Sequence, residues 1–409
     1  MKFVADFHIH SRYSIATSSQ LVPEMLDLWG RKKGITIVGT GDAVHPEWCS
    51  ELKEKLTSAE DGLFSLKKKY LHPEVQCFNN GIDVRFILTT EISCIYKKDG
   101  RVRKVHNIIV APSFAAIDKI AAQLGKIGNI HSDGRPILGL HSRDLLEIVI
   151  SADEDAFVIP AHIWTPWFSV LGSKSGFDSI EECYGDLSNY IFAIETGLSS
   201  DPPMNWQCSF LDKYSLVSNS DAHSPQNLGR EANIFDTPLS YYEVVKALKR
   251  KNKGFIGTIE YFPEEGKYHF DGHRKCGICW EPEETRKRNG VCTVCGKAVT
   301  VGVSNRIGEL ANRFLEADRL ERRGYYSLTP LKNILSEIHG VGPESKKVSV
   351  AYDQIIKKAG TEFAVLLDKT ISELMLIDVL LAEGVKRLRN GSISLVPGYD
   401  GVFGSVKVF

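Results

Sequence analysis

The chain has no apolar run of the roughly 20 residues that a membrane-spanning helix requires, and its N-terminus lacks a basic segment leading into an apolar stretch and a cleavage site. Both absences predict a cytoplasmic protein with no membrane partner. It also lacks an excess of either charge, with 50 basic residues against 51 acidic. A global field that gathers nucleic acid is thereby excluded, so any such site must be a local patch. The nine cysteines lack the look of a disulfide framework: four form two CxxC pairs, and Cys49, Cys77, Cys94, Cys183 and Cys208 are scattered. Reduced thiols are expected. At 409 residues the chain exceeds the size at which single cores split, so two or three domains are expected.

The first dozen residues hold an apolar, β-prone run that ends in His8-Ile-His10. Side chains alternate along a strand, so the two imidazoles share a face and could chelate a metal, or could simply be hydrogen-bonded in a core. Helical spacing follows over Leu21 to Lys33, closed by Gly34, and then Ile35-Thr-Ile-Val-Gly runs into Asp42 and His45. The pattern repeats: Val84 to Thr90 leads into Glu91, Val102 to Val105 into His106, Ala156 to Ala161 into His162, Ile191 to Ile194 into Glu195, and Ser215 to Ser218 into Asp221 and His223. Strand, polar residue, loop and helix recur about seven times, which predicts an α/β barrel of parallel strands. In such barrels the reacting groups sit at the carboxyl ends of the strands. Singly, each of these residues could be a core histidine, a surface acid or a helix cap. As a set, they would be costly at one mouth without cations between them. Mixed imidazole and carboxylate donors suit zinc, manganese or iron, and their number implies two or three ions.

The ordered motifs FHIH, GTGD, TTE, VHN, PAH and SDAH resemble those of the PHP superfamily of metal-dependent phosphoesterases. The resemblance spans roughly residues 3 to 235 and implies a distorted seven-stranded (β/α) barrel with a multinuclear cleft. It implies His8, His10, Asp42, His45, Glu91, His106, His162, Asp221 and His223 as metal residues, with zinc, and manganese or magnesium as alternatives. Glu91 can bridge two ions; Asp221 is expected to orient the attacking water and His223 to stand beside the leaving group, making these three the catalytic candidates. Two departures from the family stand out. Ile15 and Ala16 replace a usual third His or Asp after the HxH pair, and Thr40-Gly-Asp42 stands where TDH is usual.

Cys276-Gly-Ile-Cys279 and Cys292-Thr-Val-Cys295, twelve residues apart, have the spacing of a four-cysteine zinc ribbon, predicting one structural zinc. Arg274, Lys275, Arg286, Lys287, Arg288 and Lys297 surround it, as a solvated face or as phosphate contacts. From Arg306 the pattern is helical to about Arg389. Within it, Gly340-Val-Gly342-Pro-Glu-Ser-Lys346-Lys347 resembles a helix-hairpin-helix element, in which backbone N–H groups and lysines hold a DNA phosphate; an ordinary interhelical turn explains the same letters. The tail from Val396 reads as a turn-rich closing strand pair.

Barrel, ribbon and helical hairpin together resemble the endonuclease Q family of DNA repair nucleases. That likeness implies domains at 1–255 (barrel), 256–304 (zinc module) and 305–409 (helical), and a monomer that cuts DNA 5′ of uracil, hypoxanthine, xanthine and abasic sites. A replication clamp or other repair proteins are implied partners. A small-molecule phosphatase and a non-catalytic, metal-stabilised scaffold are the rival readings. Lesion recognition requires turning a nucleotide out of the stack. Trp164 and Trp167, after His162, could stack on a base or pack as a local core, with Lys174 beyond them. Arg230 could neutralise a phosphate or form a structural ion pair.

Overall fold

The structure is a computed structural model that describes residues 1–78, 81–250, 252–313 and 324–409. Strand β1 (Lys2–Asp6) pairs in parallel with β2 (Ile37–Gly39), and β2 in parallel with β3 (Arg85–Lys98). Between β1 and β2 runs helix α1 (Pro23–Lys33), opened by Pro23 at its first turn and closed by Gly34 at φ 95°, a backbone only glycine adopts cheaply.

The expectation of parallel strands throughout is corrected from β3 onward. Asp99 and Gly100 both have positive φ, 52° and 73°, and make a two-residue turn into β4 (Arg101–Ala111), which runs antiparallel to β3 along its whole length. Glu91 and His106 therefore lie within long strands of one hairpin instead of ending short ones. In that register Glu91 faces Ile108 and His106 faces Ser93, so the two side chains are diagonal neighbours on one face.

Strand β4 pairs antiparallel with β5 (Phe157–Pro160); β6 (Ala193–Glu195) pairs in parallel with β7 (Ser215–Val217); β8 (Ala232–Asp236) and β9 (Phe255–Glu260) pair antiparallel and return to β1. The inward side chains Phe3, Ala5, Phe7, Ile37, Ile87, Ile108, Ile159, Val217, Phe235 and Phe255 fill the interior as one buried cluster. A second, larger apolar layer lies between the strands and the surrounding helices. Full burial of each large side chain contributes about 1.5–3 kcal/mol, and this rigid base supports the polar mouth.

Beyond the barrel, β10 (Asp271–His273) and β11 (Ile278–Trp280) form a small antiparallel pair. Helices α2 (Leu331–His339), α3 (Lys346–Ala359) and α4 (Val379–Arg389) bury Ile334, Leu335, Tyr352, Ile355, Val385 and Leu388. They dock on α1 through a buried contact of Lys33 with Glu362 at 2.8 Å, and Glu362 also accepts from Tyr352 and from the backbone N–H of Leu331. Ser394–Val396 pairs with Ser405–Lys407, the expected closing strand pair. The loop between them braces the β10–β11 region: Asp400 accepts from the Arg274 N–H and the Thr300 hydroxyl. Among the described residues, no helix is long and apolar enough to cross a membrane.

Candidate metal centre

After β1 the chain stays extended, and Ile9 bridges Ala222 in the loop that follows β7, with the His10 N–H donating to the Ala222 carbonyl at 3.1 Å. That pairing brings two distant motifs together. His10 Nε2 lies 3.1 Å from Asp221 Oδ1 and 3.4 Å from Glu91 Oε2, and His8 Nε2 lies 3.7 Å and 3.5 Å from the same atoms. These four residues place their donor atoms within 4.8 Å of one another. The second oxygen of Glu91 faces His106 Nδ1 at 2.8 Å and His162 Nε2 at 3.4 Å, giving a second group that shares Glu91.

The donor set fits divalent cations. His8 Nε2 is buried with no hydrogen-bond partner among the described residues, and so is Glu91 Oε1, which meets His106 Nδ1 without the angles of a hydrogen bond. Two unpaired buried atoms cost about 1–3 kcal/mol each unless something binds them. Burial pulls His106 down to about 4, against the pull of Glu91, so near neutral pH its ring is uncharged and has a lone pair to offer. Burial disfavours the Glu91 carboxylate, yet His106, His8 and Arg135 hold it well below the usual carboxylate range.

Both histidines of the opening pair turn Nε2 inward and tie Nδ1 to a carboxylate. His8 Nδ1 is 3.0 Å from Glu195, which also accepts from the His162 backbone N–H (2.7 Å) and Asn219 (2.8 Å). His10 Nδ1 is 3.1 Å from Asp42 Oδ1. Such partners fix the tautomer and raise the basicity of the inward nitrogen. Asp42, expected as a ligand, lies outside both donor groups and behind His10: its other oxygen accepts from the Ser11 N–H and hydroxyl, both at 2.6 Å, and from Ser14 at 2.9 Å. A Cβ on Gly134 would stand 2.2 Å from that same oxygen, so only glycine fits there. His45, also expected as a ligand, lies outside both groups too. It accepts from the Trp48 N–H as the cap of the helix Pro46–Lys55, lies against Tyr13, and meets the His131 carbonyl at 3.0 Å, away from the other donors. Asp42, His162 and Asp221 all have left-handed backbones, with φ of 49°, 29° and 46°.

Residues 330–392 match the MJ0043 C-terminal domain family. The uncharacterized protein MJ0043 of Methanocaldococcus jannaschii is 35% identical over 252 residues, 60% of this chain, and the chain spans 31% of that protein's length. The uncharacterized protein YqxK of Bacillus subtilis is 29% identical over 424 residues, covering 99% of each chain. The lesion-specific endonuclease PfuEndoQ of Pyrococcus furiosus superposes with a TM-score of 0.86 at 30% identity, covering 100% of this chain and 95% of that one. The chain belongs to the endonuclease Q family. A second endonuclease Q structure, in complex with a 27-mer duplex carrying an abasic lesion at the active site, superposes equally well, with a TM-score of 0.86 and 30% identity over 100% of this chain and 96% of that one.

In this endonuclease Q chain the remaining expected residues divide. His223 sits on the rim, its Nδ1 on the Asp221 carbonyl at 2.8 Å, its ring 4.7 Å from His10 and about a third of its side chain (34%) exposed. Trp164 is corrected: it is fully buried with its indole N–H on Asn205 at 2.7 Å, so it cannot stack on a base. Trp167 is exposed, edge-on to Tyr268, and Phe168 beside it packs on His106. Lys174 is exposed. Arg230 holds the carbonyls of Ser220 and Asp221 at 2.8 and 3.2 Å, bracing the loop that carries Asp221 by backbone contacts. Gly340, Gly342, Lys346 and Lys347 lie on an exposed hairpin, where Gly340 closes α2 in the left-handed conformation. Cys276, Cys292 and Cys295 come together with His273, and the expected Cys279 is not part of that group.

Two residues of the centre were not among the expected site residues. Glu195 stood in the strand-end pattern, following a short apolar strand as the others do, but was given no role. Arg135, 3.2 Å from Glu91 Oε2, lies in an irregular loop without such a signal.

Proposed function

We propose that the protein is a divalent-metal-dependent endonuclease that hydrolyses the DNA phosphodiester on the 5′ side of deaminated bases (uracil, hypoxanthine, xanthine) and abasic sites. The observation that carries this reading is the buried carboxylate of Glu91, shared between two groups of donors at the barrel mouth. His8, His10, Glu91 and Asp221 would hold one cation, and Glu91, His106 and His162 another, with zinc, manganese and magnesium as the candidates. The chemistry such ions supply when bound is Lewis acidity at a phosphoryl oxygen and a more acidic water.

In hydrolysis a water oxygen bonds to phosphorus, one P–O ester bond breaks, and the departing oxygen takes a proton. Asp221 accepts a hydrogen bond from the attacking water, and His223, part-exposed on the rim, reaches the departing oxygen. Arg135, a quarter exposed beside Glu91, adds a fixed positive charge for a non-bridging oxygen. In this reading Trp167, exposed at the surface, stacks where a base leaves the helix, and the exposed Gly340–Lys347 hairpin holds backbone phosphates.

End-labelled duplexes with one deoxyuridine, one deoxyinosine or no lesion, incubated with and without chelator, test the reading. Cutting confined to the 5′ side of the lesion and lost with chelator is expected. Equal cutting of all three duplexes would remove the lesion specificity, and hydrolysis only of a free phosphomonoester would replace the nuclease with a small-molecule phosphatase.

A further inference from the structure

Two positions that depart from the PHP pattern take no part in the metal centre. Ile15 and Ala16, which stand where a third His or Asp is usual, form the tip of the loop between β1 and α1. Ile15 is 66% exposed. A single exposed isoleucine is ordinary on a protein surface, so exposure alone decides nothing. This tip is set apart by how it is held and by what stands on either side of it.

The ends of the loop are clasped by the Arg12 N–H on the Leu21 carbonyl at 3.1 Å. Inside it, the Thr17 hydroxyl is shared between the carbonyls of Ser11 and Ser14 at 2.9 and 2.6 Å, and the Ser14 hydroxyl reaches Asp42. On one flank the Ile15 N–H donates to Asp133 at 3.1 Å, and the same carboxylate oxygen takes the Arg135 N–H. On the other flank the Ser18 N–H donates to the His223 carbonyl at 2.9 Å. The tip therefore stands between Arg135, which contacts Glu91, and His223 on the rim. Ala16 is left-handed, with φ 63°, and its Cβ leaves the tip less freedom than a glycine would. Isoleucine is branched at Cβ and has few rotamers. An apolar side chain fixed in this way gives up little entropy on entering a confined space.

Trp167 flanks the second donor group: Phe168 beside it packs on His106, and the Thr165 hydroxyl meets His162 Nδ1 at 3.2 Å. The loop of Ile15 flanks the first, with the Ser14 hydroxyl 3.3 Å from the His10 ring. A nucleotide turned out of a duplex carries its base to one side of its own phosphate and leaves a vacancy in the stack on the other. An apolar filler keeps that vacancy open. We propose that Ile15 is the wedge that enters the vacancy, while Trp167 takes the extruded base from the opposite lip. The proposal rests on the endonuclease reading above and adds to it the step that opens the duplex. A polar metal ligand at the same tip could fill an apolar gap only by giving up its water.

Single-turnover cutting by the full chain at a deoxyuridine in a paired duplex, and at the same deoxyuridine inside a short unpaired bubble, separates a wedge from a general DNA contact. Ile15→Ala is expected to lower cutting of the paired duplex about tenfold or more and to leave cutting in the bubble within about twofold, because no stack has to be opened there. Ile15→Leu, which conserves volume, is expected to keep most of the paired-duplex rate. Metal content and melting curve should match those of the unaltered chain, since the exposed tip carries no core packing. In an Asp221→Asn background, which leaves the duplex uncut, a fluorescent purine analogue beside the lesion should brighten on binding, and brighten less when Ile15→Ala is added. An equal loss on both substrates, or a full rate on the paired duplex, overturns the wedge. If the unaltered chain cuts neither substrate, the endonuclease reading itself falls, an outcome distinct from a lesion-specific nuclease that is indifferent to Ile15.

Discussion

In the barrel, six donors converge from positions between His8 and Asp221, four of them buried, with carboxylates from outside both groups behind them, Glu195 behind His8 and Asp42 behind His10. In the module, four donors come from residues 273 to 295, on short strands and turns whose residues are mostly part-exposed or exposed. The first cluster is built by the fold around it, with an apolar interior beneath and hydrogen bonds behind. The second has little interior of its own, so its cation would build the fold. The same chemistry thus serves two ends, and the difference lies in whether the protein or the ion supplies the rigidity.

The sharpest test of that contrast is Asp221→Asn. It should leave the melting curve nearly unchanged while lowering lesion-dependent cutting by about 4 kcal/mol of transition-state stabilisation, roughly a thousandfold. Parallel loss of fold and activity would place the barrel cluster in the same class as the module. Chelation probes the other side: hydrogen exchange after metal removal should deprotect amides in residues 271–300 while β1 to β4 stay protected. Glu195→Gln and Asp42→Asn, each measured by metal titration and single-turnover cutting, should cost about 10- to 100-fold.

Smaller effects test the edges of the comparison. Trp167→Ala should weaken cutting about tenfold with metal content intact, on the scale of one stacked base. Trp164→Ala should instead cost about 3–5 kcal/mol of stability, because that ring is core. The barrel also carries a buried burden of its own. Burial pushes the Glu260 carboxyl up to about 8 from 4.5, with the hydroxyls of Thr258, Thr196 and Ser218 opposing. The folded chain then keeps a proton that the unfolded chain releases, so this contribution to stability is full below about pH 4.5 and is lost as pH rises toward 8. Glu260→Gln should therefore raise Tm at pH 8.5 by about 3 °C, near 1 kcal/mol, with little change at pH 5. An equal gain at both pH values would remove ionisation as the cause.

Much of the centre was legible because short apolar runs end in His, Asp or Glu, and the fold does gather His8, His10, His162 and Asp221. The strand pattern misled where a hairpin replaced a crossover. Asp99-Gly100 between alternating apolar residues is a strong turn signal, and it turns Glu91 and His106 from strand ends into mid-strand neighbours. Whether a carboxylate ligates or supports a ligand is not written in its own position. Asp42 and Asp221 both follow strands, and the hydroxyls of Ser11 and Ser14, from another segment, decide that Asp42 is spoken for. Trp164 and Trp167 differ by three letters and by complete burial, which depends on where Asn205 and its neighbours fall. In the module, counting cysteines hid His273, which lies among the donors there.

The left-handed backbones at Asp42, His162 and Asp221 carry a consequence for engineering. Each conformation costs on the order of 1 kcal/mol in a non-glycine residue, a load the fold sustains at three corners of one site. At position 42 glycine would relieve that load but strip the acceptor from the Ser11 N–H and from the hydroxyls of Ser11 and Ser14, which costs more than the strain it removes. A search for heat-resistant variants should therefore retain the strained aspartate and find its gains away from the site.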